Sequence, residues 1–162
     1  MNLPPGGFST LASELLRQRQ GVRCRTAGSS MFPLIRSGSV VQVEPVALES
    51  LRRGDVILFR AGDALVAHRL VDQGRGGGAG RLATRGDAFP RRVIEEVDPS
   101  QVLGRVVAIQ RGPWQIRIDA GLGRLCSTML AALSPVLRLG YPALRYLRNR
   151  WQTASGTATG TP

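Results

Sequence analysis

The stretch "GSSMFPLIRSG" at residues 28–38 places a serine pair, a methionine and a proline between two apolar, strand-like runs. A serine hydroxyl there can shape a turn, or it can attack a carbonyl carbon. Attack needs a neighbouring base to take the hydroxyl proton, and the chain offers few. All 22 basic residues are arginine, and a guanidinium stays protonated. Lysine is absent, which leaves one histidine, His68 in "LVAHRLV", and the carboxylates. An imidazole titrates near pH 6.5 and suits a general base at neutral pH. Taken alone, a histidine in a strand reads as a structural residue. It gains a chemical reading only in company with Ser30 and an acid.

Residues 10–20, "TLASELLRQRQ", have the spacing of a short amphipathic helix. Leu11 and Leu15 share a face, as do Ala12 and Leu16; Ser9 or Thr10 caps it and Gly21 ends it. Strand patterns follow in "VRCRT", in "SVVQVEPV" at 39–46, in "GDVILFR" at 54–60 and in "ALVAHRLVDQ" at 64–73. Five glycines in "GRGGGAG" at 74–80 mark a flexible hairpin tip. No Gly-Lys-Ser/Thr follows, so this is not a phosphate loop. "RLATRGD" returns as a strand, and "EEVDPSQVLGRVVAIQRG" and "WQIRID" supply the last two. Short strands with Gly and Asp punctuation predict a mainly β fold, a mostly antiparallel coiled sheet or barrel. The expected organisation is an N-terminal helix within 1–21 and a β-rich domain over 22–119. A basic amphipathic helical segment over 120–151 and a small, polar, disordered tail at 152–162 follow.

Charge is uneven. Residues 1–110 carry 15 arginines against 10 acids, while residues 111–162 carry seven arginines and only Asp119. The C-terminal third therefore suits an anionic surface. Leu139, Leu144, Tyr146, Leu147 and Trp151 alternate there with Arg138, Arg145, Arg148 and Arg150. They read either as a helix packed on the barrel or as an element lying on anionic lipid. No continuous apolar core of a secretory signal opens the chain, and no run is long enough to span a bilayer. Cys24 and Cys126 lack metal-site spacing and are too few for a disulfide scaffold. No metal or cofactor is expected.

Four motifs in order, "SSMFPLIRSGSVVQVEP", "RRGDVILFR", "VAHRLVD" and "ATRGDAFP", resemble the successive boxes of the signal peptidase I superfamily, which also holds the LexA-like self-cleaving repressors. The resemblance covers roughly residues 26–110. It implies a signal peptidase/LexA-like barrel with Ser30, the serine directly before Met31 in a Ser-Met-x-Pro pattern that ends at Pro33, as nucleophile. His68-Arg69 matches the "HR" motif of the archaeal and endoplasmic-reticulum type, which uses histidine where other branches use lysine. "TRGDA" is similar to the family's Gly-Asp box, so the resemblance makes Asp87 the acid that orients His68. The histidine-type enzymes carry a further Asp five or six residues later, where this chain has Arg92 and Val93. Glu95, Glu96 and Asp98 are near but out of register. The hydroxyl residue found two positions before the nucleophile is Gly28 here, so the oxyanion donors are the Ser30 N–H and another main-chain group or Ser29. Asp55 in "RRGDVILF" reads as a turn residue.

These readings predict a serine endopeptidase of signal peptidase type that cleaves precursor or leader peptides, with small residues before the scissile bond as the resemblance implies. The expected location is cytoplasmic or peripheral to a membrane. The alternatives are a LexA-like regulator and an inactive Arg-rich binder of the same fold. Against the regulator stand the missing lysine and the 27 residues before Gly28, too few for a helix-turn-helix domain. Nucleic acid is an unfavoured partner, since a solvated arginine face accounts for the charge.

Overall fold

The computed structural model describes residues 5–74, 80–121, 123, 126, 127 and 129. The expected glycine-rich tip at 75–79, the greater part of the 120–151 segment and the 152–162 tail lie outside the described residues. The first element is helix α1 (Pro5–Arg17). It starts ahead of the expected cap, because proline is well tolerated in a first turn. Ser9 therefore lies inside the helix, where its carbonyl accepts the Ser13 hydroxyl at 2.6 Å. The helix ends before Gly21 by a different device. Arg19 adopts a left-handed φ of 60°, the Arg19 N–H bonds Leu16 O and the Gln20 N–H bonds Leu15 O. That pair of bonds is a Schellman closure with arginine in the usual glycine place.

Eight strands follow, β1 (Val22–Arg25), β2 (Val40–Glu44), β3 (Val56–Ala61), β4 (Ala64–Asp72), β5 (Leu82–Arg85), β6 (Glu95–Val97), β7 (Val102–Arg111) and β8 (Trp114–Arg117). They form one antiparallel sheet in the order β1-β2-β7-β3-β4-β5-β6, with β8 on β7. Strand β7 is the spine: its first half pairs with β3 and its last four residues with β8, while β2 holds the opposite edge. The run expected as a single strand from Glu95 onward is two, β6 and β7. Asp98 and Pro99 divide it, for Asp98 caps a one-turn 3-10 helix at Pro99–Gln101 in a capping box.

Both faces of the sheet are buried at its centre, which is why β3 reads as a continuous apolar run instead of an alternating one. Val56 and Leu58 join Val41, Val43, Met31, Ile35 and the helix residues Ala12 and Leu16 in one cluster. Ile57 and Phe59 join Leu70, Leu82 and Val97 in a second. The period of two along a strand therefore decides which environment each β4 side chain meets.

Candidate active site

Ser30 sits on the turn between β1 and β2, and four contacts fix that turn. Met31 and Ile35 are buried in the first cluster. The Arg111 guanidinium donates to Pro33 O at 2.9 Å and to Leu34 O at 2.5 Å. Ser30 O accepts the Ala88 N–H at 2.8 Å. Gly86 lies so close beneath that a Cβ there would stand 2.6 Å from Ser30 O. Gly28 takes a φ of 85°, a region that favours glycine and so accounts for the missing hydroxyl residue at that position. The Ser30 N–H has no hydrogen-bond partner among the described residues. Ser29 O is used within the turn, accepting the Phe32 N–H.

His68 projects from β4 to the second-cluster face, where its ring meets Phe59 and Phe89 edge-on at centroid distances of 5.9 and 6.1 Å. It is buried. Its Nδ1 lies 3.0 Å from Glu95 Oε2, so the arrangement favours a proton on Nδ1 and a lone pair on Nε2. Burial pushes the imidazole below its ordinary value, while the Glu95 carboxylate, by charge and hydrogen bond, and the Asp87 charge push it up. The net direction is down, and a neutral imidazole at neutral pH is the form a base needs.

The carboxylate in contact with His68 is Glu95, whereas Asp87, the acid the resemblance implies, is paired with Arg69. Strand parity explains the difference. Leu70 pairs with Thr84 and Thr84 with Glu95, and directly opposed residues share a face. His68, two residues from Leu70, lies on that face. Arg69 pairs with Arg85 and faces the other way. There Asp87 receives Arg69 Nε and Nη2, both at 2.7 Å, with both side chains buried. Arg69 also donates to Gly54 O at 2.7 Å and Ser127 O at 3.4 Å. Asp87 is thus the anchor of a buried arginine. Asp55 is the turn residue expected, accepting the Arg52 N–H at 2.9 Å, and it also meets Arg105 at 3.5 Å.

Ser30 and His68 are brought to the same loop, for Ala88 bonds the serine and Phe89 edges the imidazole. They share no hydrogen bond among the described residues. Ser30 opens on an apolar cavity of about 500 Å³ whose walls include Phe8, Met31, Leu58, Leu65 and Ala67. Among the described residues, Ala64–Ala67 of β4 pair with β3 on one edge only, because β5 ends opposite Arg69. No cluster of His, Cys, Asp or Glu among the described residues is arranged to hold a metal ion.

The model of the Peptidase S24-like family matches residues 5–107, from the first turn of α1 into β7. The chain belongs to that family. With the eight-stranded antiparallel sheet, this places it in the LexA/signal peptidase-like serine peptidase superfamily. Comparison with the curated proteins returned no match. Sequence reasoning missed two supports of the site, Gly86 as the point of close approach and Arg111 as the brace of the serine turn, and it placed Glu95 behind Asp87 as the acid for His68. Glu95 was visible as an acid near the Gly-Asp box, but its strand register was not.

Proposed function

We propose that this family member is an active serine endopeptidase with Ser30 as nucleophile and His68 as general base. The observation that carries the reading is the Glu95–His68 pair, which leaves Nε2 as the acceptor on the chain's sole histidine. In the acylation step Ser30 Oγ bonds to the scissile carbonyl carbon while its proton passes to His68 Nε2, and Glu95 stabilises the imidazolium. The same proton then goes to the leaving amine. In deacylation His68 takes a proton from water and the hydroxide adds to the ester carbonyl; collapse then breaks the carbonyl carbon–Ser30 Oγ bond, and Oγ takes the proton back from His68. Catalytic hydrogen bonds commonly close only in the substrate complex, and the hydroxyl must reach Nε2 there. The Ser30 N–H, with a second donor such as Ser29, holds the oxyanion.

A substrate peptide in extended form finds main-chain partners on the open edge of Ala64–Ala67 and places small or medium apolar side chains in the cavity. Precursor or leader peptides of signal peptidase type fit this description. The test is a pooled peptide library read by mass spectrometry. Ser30→Ala and His68→Ala should each abolish cleavage with circular dichroism unchanged, and the double variant should be no worse than either. A His68→Ala protein that cleaves at near-normal rate would end the assignment.

One observation favours a second reading, a regulator that cleaves its own chain. Phe8 and Ser9 of α1 line the cavity beside Ser30, so a segment of the chain itself stands at the site. Intact-mass measurement over time separates the two. Self-cleavage within one molecule is first order and independent of protein concentration.

A further inference from the structure

The serine turn is bordered by exposed apolar side chains on two sides, and the peptidase reading uses none of them except Phe89. On one side is the loop from Phe89 to Ile94, in which every residue is exposed. Phe89, Val93 and Ile94 are 39, 45 and 54% exposed, and Arg91 and Arg92 stand between them. On the other side is the β7–β8 hairpin. Arg111, which holds Pro33 O and Leu34 O, is the cross-strand partner of Trp114. Directly opposed residues project to one face, so Trp114 stands beside the brace of the serine turn. It is 75% exposed, and Ile116, two residues on, is 52% exposed. Arg36 lies over the Phe32 ring within the turn itself. Large apolar groups scattered singly on a surface need no explanation, but apolar groups interleaved with arginines around one site do.

We infer that this rim docks the site onto an anionic membrane surface, with Val93, Ile94 and Trp114 entering the interface and Arg91, Arg92 and Arg36 meeting lipid phosphates. Charge decides for lipid over an apolar protein partner. Arg91 and Arg92 have no acidic partner among the described residues, whereas the acids that follow them in the chain are paired, Glu95 with His68 and Glu96 with Arg81. Tryptophan is the side chain best suited to the headgroup level. Among the described residues no helix is long and apolar enough to cross a bilayer. This surface is distinct from the 120–151 segment, and the inference does not depend on peptidase activity.

The test uses the full chain with vesicles of phosphatidylcholine, pure or mixed with phosphatidylglycerol. Trp151→Phe leaves Trp114 as the single tryptophan. Its emission should shift to the blue on the mixed vesicles only, and the shift should be reversed by salt. Co-sedimentation should fall by at least tenfold in Arg91→Glu/Arg92→Glu, as expected when each arginine near the surface contributes on the order of 1 kcal/mol. Val93→Ser/Ile94→Ser should weaken it comparably, with an unchanged circular dichroism spectrum confirming the fold. Equal binding to neutral vesicles, no binding at all, or binding that ignores both loop variants each overturns the proposal. The last of these would assign any attachment to another part of the chain.

Discussion

His68 is acted on by two opposed influences, a dry setting between Phe59 and Phe89 and the Glu95 carboxylate at Nδ1. Desolvation disfavours the imidazolium and the carboxylate favours it, and desolvation dominates. Cleavage should therefore rise with pH through an apparent value below 6.5. Glu95→Gln removes the larger of the groups that raise it, so it should lower the rate and move the apparent value further down, while Glu95→Asp recovers part of both. A profile unmoved by Glu95→Gln would show that the contact is structural only. Asp87 behaves differently at the same scale. Asp87→Asn leaves Arg69 buried without a counter-charge, a change that costs about 3–5 kcal/mol and should appear as a lower urea midpoint. If the stability holds and only the rate falls, Asp87 acts on His68 after all.

At the scale of elements, the position of Ser30 depends on a loop from another part of the chain. Gly86 admits the serine turn at a distance no side chain tolerates, and the Ala88–Ser30 bond then fixes it. Gly86→Ala should push Ser30 O away, break that bond and reduce both cleavage and stability. Gly112 provides the contrast, with a φ of 55° but open space around it. Gly112→Ala should cost only the left-handed strain, roughly 1–2 kcal/mol, and leave the rate unchanged. Equal rate losses in the two variants would refute the argument from close approach. The strands themselves were legible in the sequence because their apolar alternation and their Gly and Asp boundaries are local signals. Ser30 and His68 stood out because lysine is absent and histidine occurs once. The helix end was not legible, since nothing local announces that Arg19 will take a left-handed conformation in place of a glycine. The partner of His68 was hidden for a longer-range reason. Whether Asp87 or Glu95 faces the imidazole depends on the parity of two strand pairings, β4 with β5 and β5 with β6, and a shift of one residue exchanges the faces.

For the whole molecule, a single histidine in 162 residues makes stability near neutral pH a report on one group. The fold holds the His68 pKa below the ordinary 6.5, while an unfolded chain lets it return there. Between those two values the unfolded state binds a proton that the folded state does not. Stability should therefore be fully present above pH 6.5 and fall as pH is lowered through it, until the folded pKa is reached. Asp98 and Asp119 are also shifted, both downward from 3.8, the first chiefly by the Ser100 hydroxyl and the second chiefly by Arg117. Their contributions are lost only as pH falls below the ordinary carboxylate range, so they leave the window between pH 7 and 5 clear. A chain with net charge +11 also gains self-repulsion on acidification, and a variant that keeps that charge controls for it. Urea unfolding of the parent and of His68→Gln at pH 7, 6 and 5 isolates the imidazole. The parent should lose stability across that range, and the variant should be nearly flat. If both lose it equally, His68 is not held neutral by the fold, and the form of the imidazole that the proposed base requires is not built into the resting protein.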